Sequence, residues 1–288
     1  MLTLANDQLV VSILDPIQDQ ARLGSRYCTG GYVYDVTDRR LGPITSGPGY
    51  PDEAEPPVFD GQGLPEAFPS PLWIGGDPTI ANARPPEGTT MLILGVGFAR
   101  AASAEAWRVM PVEEFCPWQI EQSPTSITME TRQNYAGWTV ELTRVLKLAN
   151  RTLVSETRLA NVGTDPVPFR WFPHPFFPNP WGECCKFNFA VGCPENPGYS
   201  LAESGYLQTK LDHEWDRVGH FLAVDYTPGE RLVVLQKHPK LGLLAATCSY
   251  VPSWLPVWAN KNTFSFEPYL QETVAPGQAT TWSITYDF

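Results

Sequence analysis

Apolar and polar residues alternate with period two over several stretches of this chain. "TVELTRVLKLA" (139–149) and "TLVSETRLANV" (152–162) alternate roughly, and Asn150-Arg151 between them makes a tight turn. The two segments predict an antiparallel hairpin. "RLVVLQ" (231–236), "GLLAATCSYV" (242–251) and "TTWSITYDF" (280–288) predict further strands, rich in β-branched and aromatic residues. "VAPGQAT" (274–280) predicts a turn before the last of them. No 3.6-residue period lasts beyond about three turns, and there is no heptad pattern or internal repeat. With 29 prolines and 23 glycines spread throughout, uninterrupted helices have little room. The pattern predicts an all-β fold, a large antiparallel β-sandwich formed as one domain over residues 1–288. Less than about a fifth of it should be helical.

The stretch at about 41–86 breaks the alternation. It is dense in proline, glycine and acid, yet carries Phe59, Phe68, Leu72, Trp73 and Ile74. A disordered linker would lack these, so it predicts an ordered, irregular excursion packed on the sheet. Composition agrees with a globular chain: 43% apolar and 18% charged. The net charge of -11 argues against nucleic acid or an anionic membrane as partner, because both require a basic face. No apolar run is long enough to span a bilayer. The first 20 residues have no basic region before an apolar one, which predicts a cytoplasmic protein. Its six cysteines are then reduced thiols. Cys184, Cys185 and Cys193 lack zinc-ligand spacing, so neither metal nor disulfide is expected there.

Known nucleotide and hydrolase motifs are missing. "LGVGFARA" has Gly95 and Gly97 but no third glycine, and neither GxSxG nor HExxH occurs. What remains is an acid, a base and aromatics. In "PFRWFPHPFFPNPW" (168–181), His174 is held between Pro173 and Pro175, which stiffen the backbone. An imidazole so held gives or takes a proton near neutral pH. The alternative is a packed core histidine bonded to a carbonyl. Glu267 ends the apolar run "NTFSF" and precedes Pro268. Apolar surroundings raise a carboxyl towards neutrality and suit a general base; the alternative is a rim glutamate paired with an arginine. Trp254, Trp258 and Tyr269 flank Glu267, while Trp171 and Trp181 flank His174. Such rings suit the apolar C–H faces of sugars, although tryptophans also simply fill cores.

In this order the segments resemble the galactose mutarotase-like superfamily, the aldose 1-epimerases and hexose-6-phosphate 1-epimerases. "TRLANVGTDPVPFRWFPHPFF", with Asn161, Gly163 and His174, resembles its strand–turn–strand signature. "VWANKNTFSFEPYLQETVAPGQATTW", with Trp258, Glu267, Pro268, Pro276 and Gly277, resembles its C-terminal signature. "GVGFARAASAEAW" (95–107) and "RYCTGGYVYDV" (26–36) are weaker matches, and the similarity runs from about residue 22 to the end. The resemblance implies a β-supersandwich that interconverts the anomers of a sugar or sugar phosphate without metal or cofactor. His174 would be the general acid on the ring oxygen and Glu267 the base on the anomeric hydroxyl. It implies an arginine on the sugar hydroxyls, for which Arg100, Arg26 and Arg170 are candidates; in a regular strand Arg170 shares a face with His174. It also implies an assisting aspartate, Asp212, Asp216 or Asp225. Trp258 and Tyr269 would line the substrate. Despite the long separation in sequence, His174 and Glu267 are expected to converge, across a pocket about one pyranose wide. Many relatives carry a first histidine where this chain has Val96. That departure supports the alternative, a carbohydrate-binding protein without turnover. A sugar lyase or hydrolase is disfavoured, since hydrolysis usually takes two carboxylates.

Overall fold

The computed structural model of the chain describes residues 1–49, 61–76, 85–102, 110–227 and 229–288. Trp138–Ala149 and Thr152–Asn161 form the expected hairpin, in register from Val140 opposite Asn161 to Ala149 opposite Thr152. Asn150 takes φ of 50° in the turn, a conformation asparagine accepts more readily than most residues. Around this hairpin the chain builds a ten-stranded antiparallel sheet. Its neighbours on one side are Ser126–Tyr135 and Gln119–Gln122. On the other side come Ala279–Asp287, Gly242–Cys248, Val233–His238, Glu183–Phe187, Leu207–Thr209 and Tyr199–Leu201.

Shorter sheets cover the apolar face of this one. Val167–Pro173 is the middle strand of three, between Leu270–Val274 and Glu66–Ala67. Thr263–Phe266 lies between Phe177–Pro178 and Pro256–Ala259, with His220–Ala223 at the edge. The layers meet through aromatic rings: Phe169 stacks on Trp282 at 5.0 Å between centroids, and Trp171 meets Trp282 edge-on at 5.6 Å. The fold is therefore the predicted antiparallel sandwich. Among the described residues the only helical element is the 3-10 turn Gln20–Arg22. No helix among them is long and apolar enough to cross a membrane.

Within residues 41–86, Phe68, Leu72 and Trp73 are buried as expected, and Glu66–Ala67 pairs with the Val167–Pro173 strand. Ile74 departs from the expectation, being 71% exposed. Phe59 lies outside the described residues. The roughness of the 139–149 alternation also has a cause. Val140, Leu142, Arg144, Leu146 and Leu148 all face inwards, so a cation occupies the middle of an apolar stripe. Arg144 is held by the Glu66 carboxylate, the Thr157 hydroxyl, the Gly30 carbonyl at 3.2 Å and Ser155 Oγ at 3.1 Å. Ser155 and Thr157 are correspondingly polar members of the inward face of their own strand.

Candidate active site

The two faces of the Val167–Pro173 strand have different tasks. Phe169 and Trp171 point into the core between the layers. Arg170 and Phe172, continued by His174, occupy the other face, as the period of two requires. The backbone at His174 is stitched to residues 61–67: His174 N–H donates to the Pro65 carbonyl at 2.8 Å and Phe176 N–H to the Gly63 carbonyl at 2.7 Å. Gly61 makes this approach possible. It sits at φ of 89°, and a β-carbon there would overlap the Phe176 ring.

Glu267 arrives from the other sheet. Its N–H donates to the Pro256 carbonyl at 2.8 Å, just beyond the Thr263–Phe266 strand. Alternation along "SFE" puts Ser265 and Glu267 on one side, while Phe264 and Phe266 enter the core. The result is a compact triad of side chains. His174 Nε2 lies 3.4 Å from Glu267 Oε1, and His174 Nδ1 lies 2.9 Å from Ser265 Oγ. His174 and Glu267 are only 4% and 5% exposed.

Aromatic rings enclose the pair. His174 stacks on Phe176 at 4.2 Å and meets the edges of Tyr27 at 6.2 Å and Trp258 at 6.0 Å. Phe172 stacks on Tyr269 at 4.4 Å, and Tyr269 packs against Trp254 at 4.9 Å. Burial in this setting disfavours charge on both partners. It holds the His174 imidazole well below its usual range, with the Arg26 charge acting in the same direction. It pushes Glu267 up to about 7, against a smaller opposing pull from Arg26. Burial thus favours the uncharged form of the pair, a neutral His174 imidazole beside a Glu267 carboxyl that holds its proton up to about 7. Hydrogen bonding through Ser265 suits either tautomer, since a hydroxyl both donates and accepts.

The expectation that a ring-wide pocket separates His174 and Glu267 is corrected here, because the two touch.

Neither a family model nor a curated protein matches the sequence. Solved structures do match. A galactose mutarotase related enzyme from Lactobacillus acidophilus superposes with a TM-score of 0.61 at 15% identity, over 99% of this chain and 96% of that one. A galactose mutarotase-like protein from Lactobacillus casei gives 0.54 at 12% identity, over 100% and 99%. A GalM/aldose epimerase homologue from C. elegans gives 0.52 at 12% identity, over 99% and 97%. The chain has the galactose mutarotase-like fold.

On this fold, the candidates from sequence separate into two groups. Arg26 and Trp258 adjoin the His174–Glu267 pair, the Arg26 charge acting on both members and Trp258 meeting the His174 ring at 6.0 Å; Tyr269, which feels the Glu267 charge, carries Arg170 over its ring one step further out. Arg100 does not join them. It is an exposed residue on the Gly97–Arg100 strand, where its guanidinium is already held by Glu113 at 2.6 Å and 3.2 Å. Asp212 lies exposed in a turn and forms no hydrogen bond or ion pair among the described residues. Asp216 receives the Gly219 N–H at 2.8 Å, and Asp225 stands exposed in a short edge strand. Trp171 belongs to the core. Trp181 is 43% exposed and packs instead on Trp215 at 6.3 Å. Val96 sits in a hairpin turn, buried against Trp73, Met91 and Ile93 in a separate apolar cluster.

Sequence reasoning missed Ser265, Tyr27, Phe172 and Phe176. Ser265 had a usable signal, standing two residues before Glu267 in an alternating strand. All six cysteines are free thiols. Burial holds Cys184 and Cys248 up at about 12, so they stay protonated and unreactive.

Proposed function

We propose that the protein interconverts the anomers of an aldose by acid–base ring opening at His174 and Glu267. The observation that carries this reading is the 3.4 Å contact between a buried imidazole and a buried carboxyl, with Glu267 near 7 and His174 below its usual range. Burial favours the proton on Glu267, and its transfer across the contact gives the imidazolium–carboxylate form. In the closed sugar, imidazolium Nε2 delivers its proton to the ring oxygen as the bond from C1 to that oxygen breaks. The Glu267 carboxylate takes the proton from the anomeric hydroxyl, whose oxygen becomes the aldehyde. The pair is then a neutral imidazole and a carboxylic acid, with the proton count unchanged. Rotation about C1–C2 and reversal of both transfers closes the other anomer. The names of the structural neighbours support this chemistry, and Trp258 and Tyr269 would hold the sugar's C–H faces.

The test follows a pure anomer approaching equilibrium, by polarimetry or NMR, across hexoses and their 6-phosphates. Wild type should exceed the spontaneous rate, and Glu267→Gln should lower the acceleration by ~10²–10⁴-fold, the usual contribution of a proton-transfer group. kcat/KM should hold below about 7 and decline above it, as Glu267 loses the shared proton. Its acid limb should lie well below 6.5, where His174 gains a second proton for the pair. The binding-protein reading draws on Val96, whose buried alkyl side chain offers a ligand nothing polar. Sugar binding with no acceleration at any pH would favour it and overturn catalysis.

A further inference from the structure

The chain has only four histidines, and two of them are fully engaged. His174 contacts Glu267 and Ser265. His238 is buried, its Nε2 bonded to the Ile44 carbonyl at 2.8 Å and its Nδ1 accepting from the Lys240 and Leu241 N–H groups, both at 3.1 Å. The other two stand together. The rings of His213 and His220 lie 5.2 Å apart between centroids, at an interplanar angle of 65°. Both are half-buried, and neither ring joins a hydrogen bond or ion pair among the described residues.

The loop that brings them together is firmly built. Lys210 N–H donates to the Gly198 carbonyl at 2.8 Å, Trp215 Nε1–H to the Lys210 carbonyl at 3.0 Å, and Gly219 N–H to Asp216 at 2.8 Å. Aromatic packing fixes the two imidazoles: Trp215 meets His213 at 4.8 Å, and Tyr199 lies 5.9 Å from His220. Gly198 lets His220 sit close, since a β-carbon there would stand 3.0 Å from its Cδ2. That contact engages ring carbons and leaves the nitrogens to other partners.

Two imidazoles on one tetrahedral ion have a characteristic separation. With metal–nitrogen bonds of about 2.0–2.1 Å, their ring centroids lie roughly 5 Å apart. The 5.2 Å between His213 and His220 matches that spacing. A ligating imidazole must be neutral, and burial together with the neighbouring His213 holds His220 below its usual range. No group of three or more His, Cys, Asp or Glu that could hold a metal ion occurs among the described residues, so the protein supplies two ligands and water completes the shell. We infer that His213 and His220 form a two-imidazole site for an exchangeable late first-row divalent cation of the Zn²⁺, Ni²⁺ and Cu²⁺ class. Imidazole nitrogen suits these ions, whereas Mg²⁺ and Ca²⁺ require oxygen. The bound ion would tie the two ends of the 213–220 loop together. Gly219 of that loop lies against the Trp258 indole, and Trp258 meets His174. The cation would therefore brace the wall of the active site without entering the reaction.

The experiment titrates Zn²⁺ alone into the full chain with ¹⁵N-labelled histidine, then into His213→Gln, His220→Gln and Cys193→Ser. Calorimetry reads affinity and stoichiometry, and NMR reads the four imidazoles. One Zn²⁺ should bind per chain. The ring ¹⁵N shifts of His213 and His220 should move together, while those of His174 and His238 stay in place. Each histidine substitution should weaken binding by ~10–100-fold, since even the outer partners of metal ligands contribute that much. Cys193→Ser, which removes the half-buried thiol, should bind as wild type does. Zn²⁺ at a 100-fold excess over its Kd should raise the melting temperature of wild type by ~3–5 °C, because only the folded chain holds the two rings together, and should leave the histidine variants unchanged. Mg²⁺ should do neither. If a histidine variant fails to fold, the paired ring shifts of wild type decide the question alone. Binding that survives both histidine substitutions, or vanishes in Cys193→Ser, would place the ion elsewhere and overturn the inference. Movement of only one of the two rings would mean an adventitious ion on a single imidazole, and would overturn it equally.

Discussion

Glu66 and Glu267 are both sealed from solvent, at 3% and 5% exposure, and both stand next to the His174 segment. Glu66 faces the core. There it meets Arg144, a guanidinium further fixed by a carbonyl and two hydroxyls. The pair spans the two layers of the sandwich, and the neighbouring carboxylate raises Arg144 above its usual value despite the burial. Glu267 faces the other way, towards aromatic rings and a histidine. No lysine or arginine among the described residues comes within ion-pairing distance of it, so burial dominates and its proton is held up to about 7. One carboxyl is committed to its charge and staples the fold. The other is kept indecisive, the condition acid–base chemistry requires.

The largest expected effect breaks the first member of this comparison. Arg144→Met strands a buried carboxylate and should cost about 3–5 kcal/mol of stability, read from urea denaturation. Replacing both partners, as in Glu66→Leu with Arg144→Met, should recover at least half of that loss, since an apolar pair avoids the desolvation of two ions. A single variant as stable as wild type would mean that the staple contributes little, and the contrast with Glu267 would fail.

A smaller effect, of opposite sign, belongs to Glu267. Its folded pKa of about 7 exceeds the ordinary value of 4.5, so the native state binds the proton more tightly than the unfolded chain. Stability therefore falls as pH rises from about 4.5 to about 7, then levels off once both states are ionised. Glu267→Gln removes this dependence. The variant should be more stable than wild type at pH 8 by on the order of 1–3 kcal/mol, with the gap closing towards pH 4. An unchanged or reduced stability at pH 8 would show that Glu267 is matched by a cation after all. Gains in stability with loss of rate are what a site held under strain for function predicts.

How much of this contrast could be read from the sequence follows from where period two survives. The hairpin, the C-terminal strands and the shared face of Arg170 and His174 all obey alternation and were legible. The meeting of His174 with Glu267 came from a resemblance carried by motif residues, since no local rule links positions so far apart. Glu66 was hidden because it lies in a Pro- and Gly-rich stretch with no period to assign it a face. Arg144 was visible in principle as a charge in an apolar stripe opposite Ser155 and Thr157, but its partner was not. Arg100 misled because an arginine two residues after an apolar strand position shows nothing of Glu113 across the ribbon.

The smallest effect sharpens the second member of the comparison. Ser265 touches His174 at Nδ1, on the ring edge away from Glu267. When Nε2 carries the proton, the hydroxyl donates to Nδ1; when Glu267 donates to Nε2, the Nδ1–H donates to the hydroxyl. On the proposed mechanism Ser265 would hold the ring in place through both halves of the proton exchange without taking a proton itself. Ser265→Ala removes one neutral hydrogen bond, worth about 1 kcal/mol, and kcat/KM should fall by only about 3–10-fold. Loss of packing alone would lower the melting temperature and leave the imidazole unaffected. Loss of positioning should instead change the ¹⁵N shifts of His174 Nδ1 and Nε2, because the tautomer balance loses its partner on one side. Ser265→Thr, which keeps the hydroxyl, should retain the wild-type shifts if the added methyl is accommodated. Unchanged shifts in Ser265→Ala would remove Ser265 from the triad and leave Glu267 as the sole determinant of where the imidazole proton sits.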